Sequence, residues 1–307
     1  MSIKFNEHNH PTLELDGGFH VCLHRAVYDE DLQLRTSASE DLSEETAKAL
    51  ADLRRLVTAT PNLNFPLELS TNWMVPVYLR CCENDAKIAF DILDYSYRLL
   101  YRENEFTKSY AQIRHVFELG LMRYLPECTD DGAVIAVIQM GRVWDTSKVS
   151  LVEFIAAIRL TGIATMLHRN AQQNGVQLIL DVDGLSMGQI TNFTPRCCSY
   201  LFSLMDYCTP VVTKGLHVVN NGMLFNVLFS TLKPFMSRDL RSKTVMHGKS
   251  WHSLAKHIKP RFLPPKYGGS SSAPDYDGEL FAKLFQHYEG YFNEYDSYGF
   301  TGNPDSK

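Results

Sequence analysis

The sequence predicts an α/β protein: a mostly parallel sheet with helices packed on it, preceded by a small helical N-terminal region. Residues 134–140 (VIAVIQM) and 176–182 (VQLILDV) are unbroken apolar runs, ended by Gly141 and by Asp183-Gly184. Strands covered by helices on both faces read this way, whereas a half-wet strand alternates. Residues 150–172 between them form one long helical pattern, so strand, helix and strand succeed one another as in a parallel crossover.

Taken in order, residues 1–42 are a mixed arm, broken at Gly17-Gly18, with short extended pieces at 13–15 and 19–23. Ser43 before Glu44 and Glu45 starts a helix well, and 46–58 place Leu50, Leu53, Leu56 and Val57 on one side before Thr60-Pro61 ends it. Residues 73–80 are ambiguous, since Pro76 either caps or interrupts a helix. Residues 85–102 carry a helical stripe of Ile88, Ala89, Ile92, Leu93, Ser96, Leu99 and Leu100. These elements make a helical region over 43–111. A second region, 112–269, adds to the two apolar strands a helix at 195–208 and strands at 215–219 and 243–247. The tail, 270–307, is acidic and rich in Tyr, with one helix at 279–292 in an otherwise loose segment.

The stretch after residue 219 breaks the usual pattern. Asn220, Asn221 and Gly222 end a strand, and residues 223–236 then read as a helix apolar around nearly its whole circumference. A surface helix shows one apolar stripe and a polar back. By periodicity alone, a buried core helix is the plainer reading. Its setting argues for a mobile cover: Asn221-Gly222 before it reads as a hinge. Lys233, Arg238, Arg241, Lys243, Lys249, Lys256, Lys259 and Arg261 follow it against a single acid, Asp239. Apolar cover and cationic patch side by side suit a protein that opens against a membrane.

Composition narrows the classes. A chain of 307 residues with a 45% apolar fraction holds one large domain, or one plus a smaller one. A net charge of −5 gives no pull toward nucleic acid. Acids crowd 29–45 and the tail, while 233–261 is cationic. Residues 1–10 are polar and show no leader, and no run approaches the roughly 20 apolar residues of a spanning helix. Seven cysteines, with Cys81-Cys82 and Cys197-Cys198 adjacent, are not a disulfide framework and fit a reducing cytosol.

The region from residue 220 onward resembles the C-terminal half of the CRAL-TRIO, Sec14-like, lipid-binding domain. Asn220, Phe225, Lys233-Pro234-Phe235, Met246-His247-Gly248, Ser253-Leu254 and Leu263-Pro264-Pro265-Lys266-Tyr267-Gly268-Gly269 stand in its order and spacing. The Met-His-Gly and Ser-Leu segments look like the branch holding α-tocopherol transfer protein and the retinaldehyde-binding proteins. Residues 181–186 resemble the family's Asp-x-x-Gly turn, and Tyr78-Leu79-Arg80 before the 85–102 helix resembles its N-terminal region. The chain departs from the family at three places. Cys82 stands for a headgroup-binding basic residue, Gly222 for a proline at the start of the cover, and Val212 for a further cation.

The resemblance implies a sheet-and-helix domain enclosing an apolar cavity, and non-catalytic transfer of a hydrophobic small molecule between membranes. The ligand would be a tocopherol, retinoid, carotenoid or similar isoprenoid. Ile158, Gly162, Val176, Leu178, Leu180 and Leu201 are expected to line the cavity, with Leu204, Met205 and Leu216. Leu228, Leu232 and Met236 would form the underside of the gate. Lys214, Arg241 and Lys243 would bind a phosphoinositide headgroup on an anionic membrane. The protein is read as a cytoplasmic monomer, transiently membrane-associated, with no cofactor, metal or nucleic-acid partner. The rival reading is a phosphoinositide-sensing adaptor whose tail recruits a protein.

Enzyme signatures are missing from the sequence: no Gly-x-Ser-x-Gly, no P-loop and no Gly-x-Gly-x-x-Gly. Asp181 and Asp183 end a strand, where α/β sites often sit, but read more simply as turn formers. His8 and His10, or His247, His252 and His257, read as surface histidines rather than ligands. The paired cysteines read as small buried hydrophobes.

Overall fold

A computed structural model of the chain describes residues 1–5, 10–23, 43–68 and 72–305. His8 and most of the acidic 29–45 run lie outside the described residues. The N-terminal arm contains an antiparallel sheet: β1 (Ser2–Phe5), β2 (Pro11–Glu14) and β3 (His20–Val21). Next come α1 (Glu44–Thr58), β4 (Leu63–Asn64), α2 (Met74–Cys81) and α3 (Ala86–Arg102). Ser43 caps α1 by accepting from the Thr46 amide, and Asp85 caps α3 by accepting from Lys87 and Ile88. Pro76 sits in the first turn of α2, where a missing N–H costs nothing, so the ambiguous segment is helical.

The chain continues through α4 (Tyr110–Glu118), β5 (Met122–Tyr124), β6 (Val134–Gln139) and α5 (Leu151–Leu167). The long helix expected over 150–172 breaks at His168, which is extended (φ −83°, ψ 112°), and resumes as α6 (Arg169–Asn174). Then follow β7 (Val176–Asp181), α7 (Met187–Ile190), α8 (Pro195–Tyr207), β8 (Thr213–Val219) and the cover helix α9 (Met223–Leu232). The cover is shorter than expected: Lys233–Phe235 tightens into a 3₁₀ turn, because Pro234 has no N–H to continue the helix. The domain closes with α10 (Arg238–Ser242), β9 (Thr244–Gly248) and α11 (Trp251–Leu254).

The central sheet has the order β5-β6-β7-β8-β9, with β5 antiparallel and the rest parallel. In register, Ile138 pairs with Leu180 and Leu180 with Val218; one step back, Leu178 pairs with Leu216. These side chains share one face. Ile135, Ile179 and Val219 point to the other face, where they pack with Leu254, Ile258, Phe262 and Tyr267. The Gly-Gly of the last motif belongs to that back layer. Gly268 is left-handed (φ +71°), and a Cβ there would lie 2.4 Å from the Trp251 side chain.

The tail corrects the expectation of a loose segment with one helix. Residues 270–305 supply two helices, α12 (Gly278–Gln286) and α13 (Glu289–Ser297), and the strand β10 (Gly299–Phe300), which pairs with β4. Phe281 and Phe285 are fully buried, and the Phe285 ring packs tilted against the Phe117 ring on α4, 4.8 Å between centroids. Tyr276, Tyr288 and Tyr295 are buried as well, so much of the tail's Tyr content is core and not display surface.

Candidate functional site: a two-chambered apolar cavity under a gate

The face of the sheet bearing Ile138, Leu178, Leu180 and Leu216 does not close tightly on the helices above it. Two cavities lie there, of about 120 Å³ and about 60 Å³. Leu178 and Leu180 show why these are interior space: both sit on the central strand yet are only partly buried. A side chain in the middle of a five-stranded sheet keeps accessible surface only if a void faces it. The inner chamber is walled by Gly162, Val176 and Leu204, among others. The outer one is walled by Leu180, Leu201 and Leu216, and by Phe225, Phe229, Leu232 and Met236 from the cover. Ile138, Ile158, Leu178 and Met205 line both chambers and are the partition between them.

Of the twelve residues expected around the cavity, eleven line one chamber or both. Leu228 is buried but lines neither. The cover contributes Phe225 and Phe229 instead, two rings stacked with centroids 6.2 Å apart. Phe154, Ile155 and Phe193 also line the outer chamber and were not anticipated. The aromatic pair was available from the sequence, because Phe225, Phe229 and Leu232 are spaced to share a helix face.

The outside of α9 is apolar too. Met223 is 83% exposed and Val227 61% exposed, with Leu224 beside them. The helix therefore has an apolar underside on the chamber and an apolar outer face, as its composition required. Its stem differs from expectation. Gly222 is extended (φ −104°, ψ −169°), a conformation any residue adopts, so it is not a special hinge. The left-handed residue is Asn220 (φ +58°). The Asn220 amide donates to the Gly248 carbonyl (2.6 Å), and its Nδ2 donates to Asp181 (2.9 Å). Asn221 Oδ1 accepts from the Gly248 amide (2.7 Å). The stem is clamped rather than loose.

Asp181 is a structural hub: its carboxylate also accepts from the Tyr267 hydroxyl (3.1 Å). Asp183 pairs with Arg142 (2.7 Å) across the same turn. Both therefore shape the strand end. Cys208 lines the inner chamber, and burial pushes its thiol up to about 12, so it is a protonated wall. Burial likewise raises the thiols of Cys81 and Cys82 to about 12 and that of Cys198 to about 11.

The cations expected at a headgroup site cluster where β8 and β9 begin, since the Leu216 amide donates to the Lys243 carbonyl (3.0 Å). Each is engaged within the protein. Lys214 pairs with Asp131 (2.5 Å), Lys243 with Asp239 (2.5 Å), and Arg241 donates to the carbonyls of Lys233 (2.7 Å) and Met236 (3.2 Å). Lys259 and Arg261 share Asp130. Among the described residues, exposed Lys233 and Arg238 at the end of the gate carry no ion pair.

The histidines correct another expectation. His247 is not on the surface: it is 5% exposed and bonds His217 (Nε2 to Nδ1, 3.0 Å), itself 2% exposed, on the back of the sheet. The exposed His257 leans on both rings, 5.0 Å and 5.5 Å away between centroids. His217 also bonds Gln177 (2.9 Å), and His247 bonds Ser253 (2.8 Å). Among the described residues, no group of three or more His, Cys, Asp or Glu side chains has the arrangement of a metal site.

An α/β domain that encloses an apolar space under a two-faced apolar helix has the architecture of a lipid-binding domain. Residues 120–269 match the CRAL/TRIO domain family. Over those residues the chain resembles a CRAL/TRIO domain, and its mostly parallel sheet flanked by helices is the mixed α/β arrangement of that fold. It is 26% identical over 248 residues to human alpha-tocopherol transfer protein-like, covering 79% of this chain and 71% of that protein. It is 30% identical over 163 residues to rat clavesin-2, covering 52% of this chain and 49% of the relative. The solved structure of Sfh5 superposes with a TM-score of 0.50 at 10% identity, covering 80% of this chain and 98% of that one, and so agrees in fold alone. Among the described residues, no helix is long and apolar enough to cross a membrane.

Proposed function

We propose that this protein binds a hydrophobic small molecule, a tocopherol, retinoid, carotenoid or similar isoprenoid, in the two chambers and transfers it between membranes. The observation that carries this reading is the void against the central strand, roofed by a helix apolar inside and out. The chambers, about 120 and about 60 Å³, must widen to take such a ligand; enclosing roughly 400–500 Å² of its apolar surface contributes roughly 10–12 kcal/mol before that cost and the other binding costs. The outer face of Met223, Leu224 and Val227 is already exposed and would meet lipid first; swinging the cover out would give its underside, Phe225, Phe229 and Leu232, to lipid as well, so open and closed states can lie close in energy. Lys214, Arg241 and Lys243, with Lys233 and Arg238, would hold the gate end against anionic headgroups, each adding on the order of 1 kcal/mol.

The test is transfer of α-tocopherol or retinol from donor to acceptor liposomes by the purified full chain, with and without phosphoinositide in the acceptor. Transfer above the spontaneous rate, increased by the anionic lipid, is expected. A chain that neither extracts nor delivers either lipid refutes the carrier reading.

A further inference from the structure

The turn between β5 and β6 carries two adjacent carboxylates, Asp130 and Asp131, at the edge of the sheet where β6, β7 and β8 begin. Its own hydrogen bonds set its shape. The Thr129 amide donates to the Ala133 carbonyl (2.9 Å), the Gly132 amide to the Thr129 carbonyl (2.8 Å), and the Ala133 amide to Thr129 Oγ1 (2.9 Å). Gly132 is left-handed (φ +80°), and a Cβ there would lie 2.5 Å from Asn174 Nδ2, so the turn sits close on the end of α6. From this seat the carboxylates reach cations on two other segments. Asp131 pairs with Lys214 on β8 (2.5 Å). Asp130 pairs with Lys259 (2.6 Å) and with Arg261, which flank Pro260 beside Phe262 of the back layer. The side chains of Asp131, Lys259 and Arg261 are each more than half exposed. Ion pairs this wet contribute little to stability, so the turn does not need them to hold its place. Hydrogen bonds from Lys214 and then Thr129 hold the Asp131 carboxyl down at about 2, so it is a full anion at neutral pH.

We infer that the Asp130-Asp131 turn is a built-in competitor for the anionic membrane: it covers Lys214, Lys259 and Arg261 in the unbound protein and gives them up when lipid phosphates take its place. Three cations face two carboxylates, so the covered patch keeps one net positive charge. A single soluble anion must compete with carboxylates already positioned on the same chain, at high effective concentration. A bilayer rich in phosphoinositide offers many phosphates at once and exchanges for both carboxylates together. The cover therefore sets a threshold, suppressing attachment to weakly charged membranes and permitting it on strongly charged ones. This inference rests on the carrier reading above and adds Lys259 and Arg261 to its docking surface.

The experiment is sedimentation of the full chain with phosphatidylcholine vesicles carrying a low or a high fraction of phosphatidylinositol bisphosphate. Asp130→Asn with Asp131→Asn keeps the side-chain shape and an acceptor oxygen at each position and removes both charges. This variant should bind the low-fraction vesicles roughly ten- to thirtyfold tighter than the parent, the range for two uncovered cations at an anionic surface. Glu44→Gln with Glu45→Gln removes the same charge from exposed positions on α1, which packs on α2 and α3, and should change binding by less than about threefold. The gain from Asp130→Asn should vanish in a chain that also carries Lys259→Ala and Arg261→Ala, because nothing remains to uncover. No gain in the double Asn variant, with the parent binding vesicles and transferring lipid, overturns the cover and leaves the carrier standing. An equal gain from the α1 control, or a gain that survives the loss of Lys259 and Arg261, reduces the effect to net charge and overturns the cover too. Release of bound vesicles by inorganic phosphate at matched ionic strength assigns the patch to a soluble anion and overturns the membrane assignment. Vesicle binding by neither the parent nor the Asn variant overturns the docking part of the carrier reading and the cover together.

Discussion

Arg241 ties down the turn that follows the cover helix: its Nη2 donates to the carbonyl oxygens of Lys233 and Met236. The same guanidinium stands among the cations expected to meet a headgroup. A phosphate that captured Arg241 would take the donor from those carbonyls and loosen the gate as it docked. Arg241→Ala should therefore speed ligand release into buffer, by about tenfold if both hydrogen bonds are lost. Lys214→Ala and Lys243→Ala, whose partners are Asp131 and Asp239, should leave that rate unchanged while weakening vesicle binding. Stopped-flow loss of a bound fluorescent ligand checks the first outcome, and vesicle sedimentation the second. Equal release rates for all three variants would detach Arg241 from the gate.

The partition makes a size prediction. Met205 lines both chambers, and Met adapts its shape more readily than Ile or Leu. Met205→Ala should merge the chambers and admit a longer ligand, at a cost of about 2–4 kcal/mol in stability. Leu204→Trp in the inner chamber and Leu180→Trp in the outer should cut ligand capacity while leaving the protein folded, because a side chain growing into a void displaces little. Full capacity in both Trp variants, each with a native melting curve, would remove these walls from the binding space.

How much of this was readable beforehand follows from range. The unbroken strands at 134–140 and 176–182 were legible because burial on both faces leaves a direct mark on composition. The cover helix was legible because no surface helix carries Leu224, Val227 and Phe229 together on all sides. Arg159 facing Asp296 was not legible, since 137 positions separate them and nothing local marks either as a partner. The histidine contacts depend on sheet register: His217 and His247 are buried only because β8 and β9 are parallel neighbours. The tail was misjudged although its signal was present. Phe281, Leu284, Phe285, Tyr288, Phe292 and Tyr295 recur at helical spacing, and the surrounding acids and serines obscured them.

Those histidines predict acid sensitivity. Burial, then the His247 and His257 imidazoles, lowers His217 from its ordinary 6.5 to about 3, and burial, then His257, lowers His247 to about 4. Both are neutral in the folded chain and take up protons more readily when unfolded. Their contribution to stability is present above about pH 6.5 and is lost progressively as pH falls toward 3–4. His217→Gln with His247→Gln should flatten the urea midpoint between pH 6.5 and 4.5 relative to the parent. An unchanged pH slope in the double variant would assign the acid sensitivity to other groups.

The tail is part of the core. Phe281 is fully buried and its ring contacts those of Phe285 (4.4 Å), Tyr124 (5.9 Å) and Phe117 (6.2 Å), joining α12 to α4 and β5. Truncating a buried Phe removes its transfer energy and leaves a cavity that neighbouring rings fill poorly, at about 3–5 kcal/mol. A dispensable tail would absorb that loss by detaching alone, with a local transition and ligand binding intact. A tail whose Tyr295 lines the inner chamber and whose Asp296 holds Arg159 cannot detach without opening the cavity. Phe281→Ala should therefore lower the midpoint of the whole unfolding transition and reduce ligand retention together. A separate low-temperature transition in calorimetry, with retention unaffected, would show the tail to be an independent appendage.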